Sequence, residues 1–317
     1  MITLQIAPQD SGKKLHRYVR QMLPGMPLSG IYKMIRVGRI KVNGAKGKME
    51  SVLHPGDELS IYIHEEEYKA LAKPVRKFGG VKTDVEVVYE DSHLLILNKP
   101  VGLLTHPDSS EHKDTLIGRA LAYLHQKGEI ADGRSFLPAT VNRLDRNTSG
   151  IVIIGKDSGT LRAMAEMIRE HQLEKTYIAV VWGTVRKDGQ VLAPLVKSSQ
   201  EVIRSRVTAP NAPGARQALT RYRVLGVSDE FSLLEVLLIT GRMHQIRAHM
   251  QSIGHPLVGD LKYGGKSAFH VNHQLLHAYS IRLPDGRRYV AALPKEFQDV
   301  LRQAHLSQYA PDSLNTH

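Results

Sequence analysis

Apolar positions recur with two different periods along the chain. Between residues 12 and 36 they fall three or four apart, as Leu15, Val19 and Met22, then Ile31, Met34 and Ile35. That spacing predicts two short helices, with Lys14, Arg17, Arg20, Lys33 and Arg36 on their polar sides. Pro24-Gly25 and Pro27 separate them; Ser29 is the expected N-cap of the second and Gly38 its end. A short strand (Arg39 to Lys41 and Val42), an Asn43-Gly44 turn, a Pro55-Gly56-Asp57 turn and a strand from Glu58 to Ile63 complete a small unit over residues 1–64. Residues 65–83 mix charge, Pro and Gly without a clear period and read as a linker.

From Asp84 onward strands dominate. VEVVYED and HLLILNKP read as two strands joined by a turn, and residues 113–126 as a helix. Ile151, Val152, Ile153 and Ile154 form a β-branched run ending at Gly155, the pattern of a strand buried on both faces. A helix follows from Ser158 to Leu173, then the strand TYIAVVWGTV, a basic hairpin-like stretch over 184–223, the strand FSLLEVLLIT and the helix GRMHQIRAHMQSIG. Strands around 276–291 close the domain, taken as 84–305, and 306–317 reads as a loose tail. Strands outnumber helices and often follow one another directly. This favours an α+β fold with a mostly antiparallel sheet.

Composition adds a partner. The 317 residues are 42% hydrophobic and 23% charged, ordinary for a globular protein, but the formal net charge is +12. Residues 1–64 hold ten Lys and Arg against four acids, so half of the excess lies in that segment. A basic chain of this kind points to a polyanion, nucleic acid above all. The absence of cysteine excludes disulfides and thiolate-ligated zinc. The N-terminus MITLQIAPQD lacks the apolar region of a signal peptide, and no apolar run approaches the ~20 residues that span a bilayer. A cytoplasmic, membrane-free protein is expected, and a monomer.

One stretch raises a chemical question. In VNRLDRNTSGIVIIGKD, Asp145 stands between Arg143 and Arg146 at the mouth of the buried strand. Neighbouring guanidinium groups favour the ionised form of a carboxylate, which suits a nucleophile or an electrostatic partner better than a general acid. A loop aspartate that caps a turn is the plainer reading. No Gly-x-Ser-x-Gly elbow, phosphate-loop lysine motif or Gly-x-Gly-x-x-Gly fingerprint is present. His244 and His249 are five apart, the wrong spacing for two zinc ligands on one helix face, and no metal site is expected.

The blocks together carry a resemblance. NRLDRNTSGIVIIGKD resembles the active-site motif of the RluA-type pseudouridine synthases, usually written His-Arg-Leu-Asp followed by Thr-Ser/Thr-Gly. LLILNKPVGLLTHP, EKTYIAVVWG, TGRMHQIRAHMQSIGHPLVGDLKYG and LLHAYSIRLP resemble further blocks of that family in the same order. LHRYVRQMLPGMPLSGIYKMIRVGRIKVNG with HPGDELSIYI resembles an S4 RNA-binding domain. One departure is visible: Asn142 stands where the family usually has His.

The resemblance implies conversion of uridine to pseudouridine in RNA, large-subunit ribosomal RNA by preference. This is a C–N to C–C glycosidic isomerisation without a cofactor. It implies that Asp145 is the catalytic carboxylate, attacking sugar or base or removing a sugar proton. Arg247 would be its ion-pair partner. Tyr177 would stack on the base and serve in removing the C5 proton. Arg143 would fill the space left by a flipped nucleotide. Asn142, Arg146, His106 and Leu276 would contribute to substrate binding. Lys14, Arg17, Arg20, Lys33, Arg36, Arg39 and Lys41 would contact RNA phosphates without reading sequence. Two other classes compete: a non-catalytic RNA-binding factor that kept the fold, and a carboxylate-based nucleoside hydrolase, which calls for a second acid beside the first.

Overall fold

The computed structural model describes residues 1–72, 81–109, 111–130, 136–197 and 204–311. The chain divides into two compact units, residues 1–80 with 124–137 and residues 81–123 with 138–317. Among the described residues no helix is long and apolar enough to cross a membrane.

The small unit places helices α1 (Leu15–Met22) and α2 (Leu28–Arg36) on a four-stranded sheet of β1 (Ile2–Gln5), β2 (Ile40–Val42), β3 (Ala45–Lys46) and β4 (Glu58–Ile61), in the order β1-β4-β2-β3. Leu15, Val19, Ile31, Ile35, Ile40, Leu59 and Ile61 are buried in one core, which is why the helical period of the first forty residues leaves the cations outside. The Asn43-Gly44 turn is left-handed at both residues, with φ 49° and 76°. The Asn43 side chain then ties this turn to the next, donating to Asp57 and accepting from the Glu58 N–H, both at 2.8 Å. Two details differ from the sequence reading. Helix α2 is capped by Pro27, not Ser29, because the Pro27 carbonyl accepts the N–H groups of Gly30 and Ile31. Within the expected linker, Glu65–Ala72 forms a helix, α3. Three glutamates favour its N-terminal turn, Lys69 pairs with Glu65, and Tyr68, Leu71 and Ala72 pack on the small core. Residues 73–80 of that stretch lie outside the described residues.

The large unit is built on β5 (Glu86–Glu90), β6 (Leu94–Lys99), β7 (Ala139–Thr140), β8 (Ser149–Gly155), β9 (Glu174–Trp182), β10 (Gly189–Leu192), β11 (Leu195–Lys197), β12 (Ser205–Val207), β13 (Leu219–Val227), β14 (Phe231–Leu238), β15 (Leu276–Arg282) and β16 (Arg288–Val290). Helix α4 (Leu116–Gln126) spans the division at Tyr123, followed by α5 (Ser158–Arg169), α6 (Gln245–Ser252) and α7 (Lys295–Gln303). Ten strands join one sheet in the order β10-β13-β14-β9-β15-β8-β6-β5, with β16 on β15 and β7 on β8; β11 and β12 pair separately. The expected α+β fold with a mostly antiparallel sheet is what forms. Among the described strand pairs of this unit only β15 with β8 is parallel.

Every residue of β8 is buried, as its β-branched run requires. At its start Gly150 has φ 109°, and a Cβ there would stand 2.2 Å from the Ala278 carbonyl oxygen, so only glycine lets β8 close on β15. His277 fastens the same junction. Its Nε2–H donates to the Ala291 carbonyl at 3.1 Å, which leaves Nδ1 to accept from the Ser149 hydroxyl at 2.8 Å. The C-terminal segment is not loose as far as it is described. Helix α7, absent from the sequence reading, buries Phe297, Val300 and Leu301, and Leu306 is fully buried behind it. Residues 198–203 of the basic stretch and 312–317 of the tail lie outside the described residues.

Candidate active site

Buried strand β8 needs a lead-in that aims its preceding loop, and residues 142–148 are pinned at several points. The Asn142 side chain acts like a neighbouring strand, donating to the Ile151 carbonyl at 3.0 Å and accepting from the Ile153 N–H at 2.8 Å. The buried Thr105 hydroxyl donates to the Leu144 carbonyl and accepts the Leu144 N–H. The Thr148 N–H donates to the Asp145 carbonyl, and Gln274 donates to the Thr148 hydroxyl.

A further anchor is Lys99, at the end of β6 and fully buried. Its ammonium donates to the carbonyls of Pro100, Leu103 and Arg146 at 2.8, 2.7 and 2.9 Å, using all three protons. Burial pushes its pKa down to about 7, while the negative charge of Asp145 opposes that fall.

The loop so fixed presents Asp145 in the wall of a cavity of about 600 Å³. Arg143 and Arg146 are exposed, and both line the cavity. The carboxylate's ion-pair partner is Arg247 of α6, 102 residues away, whose Nη1 donates to Asp145 Oδ2 at 3.1 Å. Asp260, also buried, takes the other side of the same guanidinium, with Nε at 2.7 Å and Nη2 at 2.8 Å. Burial disfavours the Arg247 charge, but the bonds and charge of Asp260, then those of Asp145, outweigh it and raise its pKa. The Tyr263 ring lies 4.8 Å beneath the guanidinium.

His244, the left-handed residue before α6, completes the group. Its Nε2 is 3.6 Å from Asp145 Oδ2 and its Nδ1 is 2.9 Å from the Tyr263 hydroxyl, which also accepts the Ser205 N–H. Burial, with Arg247 and Lys262 nearby, lowers the His244 pKa to about 4 despite Asp145. The ring is therefore neutral at neutral pH, and the contact with Asp145 is not an ion pair there.

The other expected residues divide. His106 lines the cavity, with Nε2 2.6 Å from the Thr140 hydroxyl; burial and Arg143 lower its pKa. Tyr177 is buried on β9 between Val236 and Ala278, and Leu276 is buried at the start of β15; neither is in the cavity wall. Burial, with the charge of Asp145, raises the Tyr177 phenol pKa well above its usual value, which disfavours the phenolate that proton removal would use. In the small unit, Arg17, Arg20, Lys33, Arg36 and Arg39 are exposed. Lys14 is paired with Glu50, and Lys41 lies over the Tyr62 ring at 5.2 Å.

Asp260, Lys99 and His244 were not singled out from sequence as members of the site. The available signal for Asp260 was its place in VGDLKYG, after Gly259. That glycine has φ 76°, and a Cβ there would stand 2.1 Å from the His273 carbonyl oxygen. Lys99 gave no signal, since a lysine before proline reads as a strand end.

Comparison with known proteins gives the family. Residues 93–252 match the family described as RNA pseudouridylate synthase. A ribosomal large subunit pseudouridine synthase C of Vibrio cholerae is 33% identical over 88% of this chain and 87% of its own length. An uncharacterized RNA pseudouridine synthase of Chloroflexus aurantiacus is 30% identical over 94% of this chain and 92% of its own. The solved structure of human RNA pseudouridylate synthase domain containing 4 superposes with a TM-score of 0.59 at 22% identity, covering 69% of this chain and 93% of that one, which supports the fold. The chain belongs to the RluA-type branch of the RNA pseudouridylate synthase family and is an RNA pseudouridine synthase, an isomerase acting on RNA.

Proposed function

We propose that this enzyme isomerises specific uridines of large-subunit ribosomal RNA in the cytoplasm, with Asp145 as its catalytic carboxylate and no cofactor. The observation that carries the catalytic assignment is the Asp145 carboxylate in the cavity wall, bonded to a buried arginine that Asp260 holds rigid. A carboxylate so oriented can meet the sugar or base of a flipped uridine without first reorganising. The reaction moves one glycosidic bond from N1 to C5 and one proton from C5 to N1. Its atoms and electrons balance within the nucleotide, so the chemistry requires no redox or group-carrying partner.

The substrate assignment rests on the relatives named for the ribosomal large subunit, among them those of Vibrio cholerae and Haemophilus influenzae. The small unit serves as an S4-like anchor. Its exposed cations Arg17, Arg20, Lys33, Arg36 and Arg39 contact phosphates, while the cavity receives the base. Arg143, exposed beside Asp145, takes the place of the flipped nucleotide in the RNA stack. The test is a pseudouridine map of ribosomal RNA from cells with and without the gene. The reading requires at least one large-subunit position to revert to uridine. An unchanged map there, with loss in another RNA, would reassign the substrate.

A further inference from the structure

The cavity beside Asp145 poses an electrostatic problem. Asp145, Asp260 and Asp108 all line it, and a flipped nucleotide brings its own negatively charged backbone to the same place. A phosphodiester approaching two or three carboxylates needs a cation that is not already committed to one of them. Four Lys and Arg side chains line the cavity: Arg143, Arg146, Arg247 and Lys262. Arg247 is consumed by Asp145 and Asp260, and Arg146 has an interaction of its own. Arg143 and Lys262 form no hydrogen bond or ion pair among the described residues, and Arg143 is already placed in the RNA stack.

The backbone under Lys262 is tied by hydrogen bonds at both ends. Residues Leu261–Tyr263 form a single 3-10 turn, closed by the Tyr263 and Gly265 N–H groups on the Asp260 carbonyl at 3.0 and 2.9 Å. The Tyr263 hydroxyl, held by Ser205 and His244, fixes the far end of the turn. The turn therefore sets Lys262 in the cavity wall, and it leaves Leu261 60% exposed at the same rim.

We propose that Lys262 binds a phosphodiester of the target nucleotide, docking the RNA backbone beside Asp145. This rests on the reading of the cavity as the uridine site. A half-buried lysine without an acceptor loses solvation unless an anion arrives, and burial together with nearby Arg247 already lowers its pKa, with Asp145 and Asp260 offsetting part of that. A bound phosphate would supply the missing acceptor and favour the charged form.

The test compares wild type, Lys262→Ala and Lys262→Arg on total RNA labelled with [5-³H]uridine and extracted from cells lacking the gene. Tritium release reports turnover. Lys262→Ala should raise the apparent KM about tenfold, the loss of one charge-assisted bond, with a far smaller change in kcat. The dependence of log KM on log salt should flatten by about 0.7 to 0.9, one phosphate contact. Lys262→Arg should restore both. An unchanged KM and salt slope in Lys262→Ala would overturn the proposal, as would a collapse of kcat at unchanged KM, which would place Lys262 in the chemistry instead. Fractionating the RNA after reaction separates this from the substrate reading: release from RNA other than the large ribosomal species refutes the latter and leaves the Lys262 comparison intact.

Discussion

Asp260 grips Arg247 with both carboxylate oxygens, and the one remaining guanidinium edge, Nη1, is thereby turned onto Asp145. Two carboxylates share one buried arginine, one holding it and the other presented to the cavity. The side chain of Asp260 is 1% exposed and that of Asp145 28%, which separates support from presentation.

Asp260→Asn should therefore damage both folding and turnover. Removing one charge from a buried pair costs up to roughly 3–5 kcal/mol, because Arg247 stays buried with only the more exposed Asp145 left to balance it. Urea unfolding of the variant checks the stability loss, and turnover at saturating RNA checks the loss of orientation. A variant of unchanged stability and activity would show that Arg247 needs no second anchor.

The pinning of the loop through Asn142 makes a separate expectation. Asn142→Asp keeps the acceptor for the Ile153 N–H but turns an oxygen toward the Ile151 carbonyl. It should destabilise the fold by roughly 1–3 kcal/mol. Unfolding midpoints in urea measure it, and equal midpoints would mean that the donor bond contributes nothing.

Acid should weaken the fold through two histidines. Burial holds His277 and His244 at about 4, below the ordinary value of about 6.5. The unfolded chain thus binds more protons between those values, so their contribution to stability is complete above pH 6.5 and is lost as pH falls toward 4. Each contributes a slope of at most about 1.4 kcal/mol per pH unit in that window. His277→Asn should flatten the measured slope of unfolding free energy against pH by up to one proton. A slope identical to wild type would place the His277 pKa near its ordinary value.

Much of this was legible from local pattern. The run Ile151 to Ile154 reads as a buried strand and forms one, and the helical spacing of Leu15, Val19, Ile31 and Ile35 put the cations outside. Helix α3 was missed because three consecutive glutamates hid the Tyr68, Leu71 and Ala72 face. Helix α7 was missed because its apolar face, Phe297, Val300 and Leu301, occupies few positions in a mostly polar segment. The site was less legible. Arg143 and Arg146 flank Asp145 in sequence, yet the arginine bonded to it lies 102 residues on, and that pairing is set by the packing of α6 and not by any local spacing. The resemblance to a family named Arg247, but Asp260, His244 and Lys99 follow only from side chains meeting in three dimensions.

The small unit's role can be read from salt. Replacing Arg17, Arg20, Lys33 and Arg36 by glutamine leaves the buried core of that unit untouched, since all four are exposed. If each meets one phosphate, the slope of log affinity against log salt should flatten by about three units. An unchanged slope would show that this face points away from RNA.

The central claim is that the Asp145 carboxylate performs the isomerisation, and Asp145→Asn tests it most directly. The substitution removes one oxygen anion from the cavity and leaves the exposed cations in place. Single-turnover isomerisation at saturating ribosomal RNA from cells lacking the gene, with binding of the same RNA measured in parallel, separates chemistry from affinity. The account predicts no detectable pseudouridine and an affinity close to that of wild type. Substantial pseudouridine formation by Asp145→Asn would contradict it.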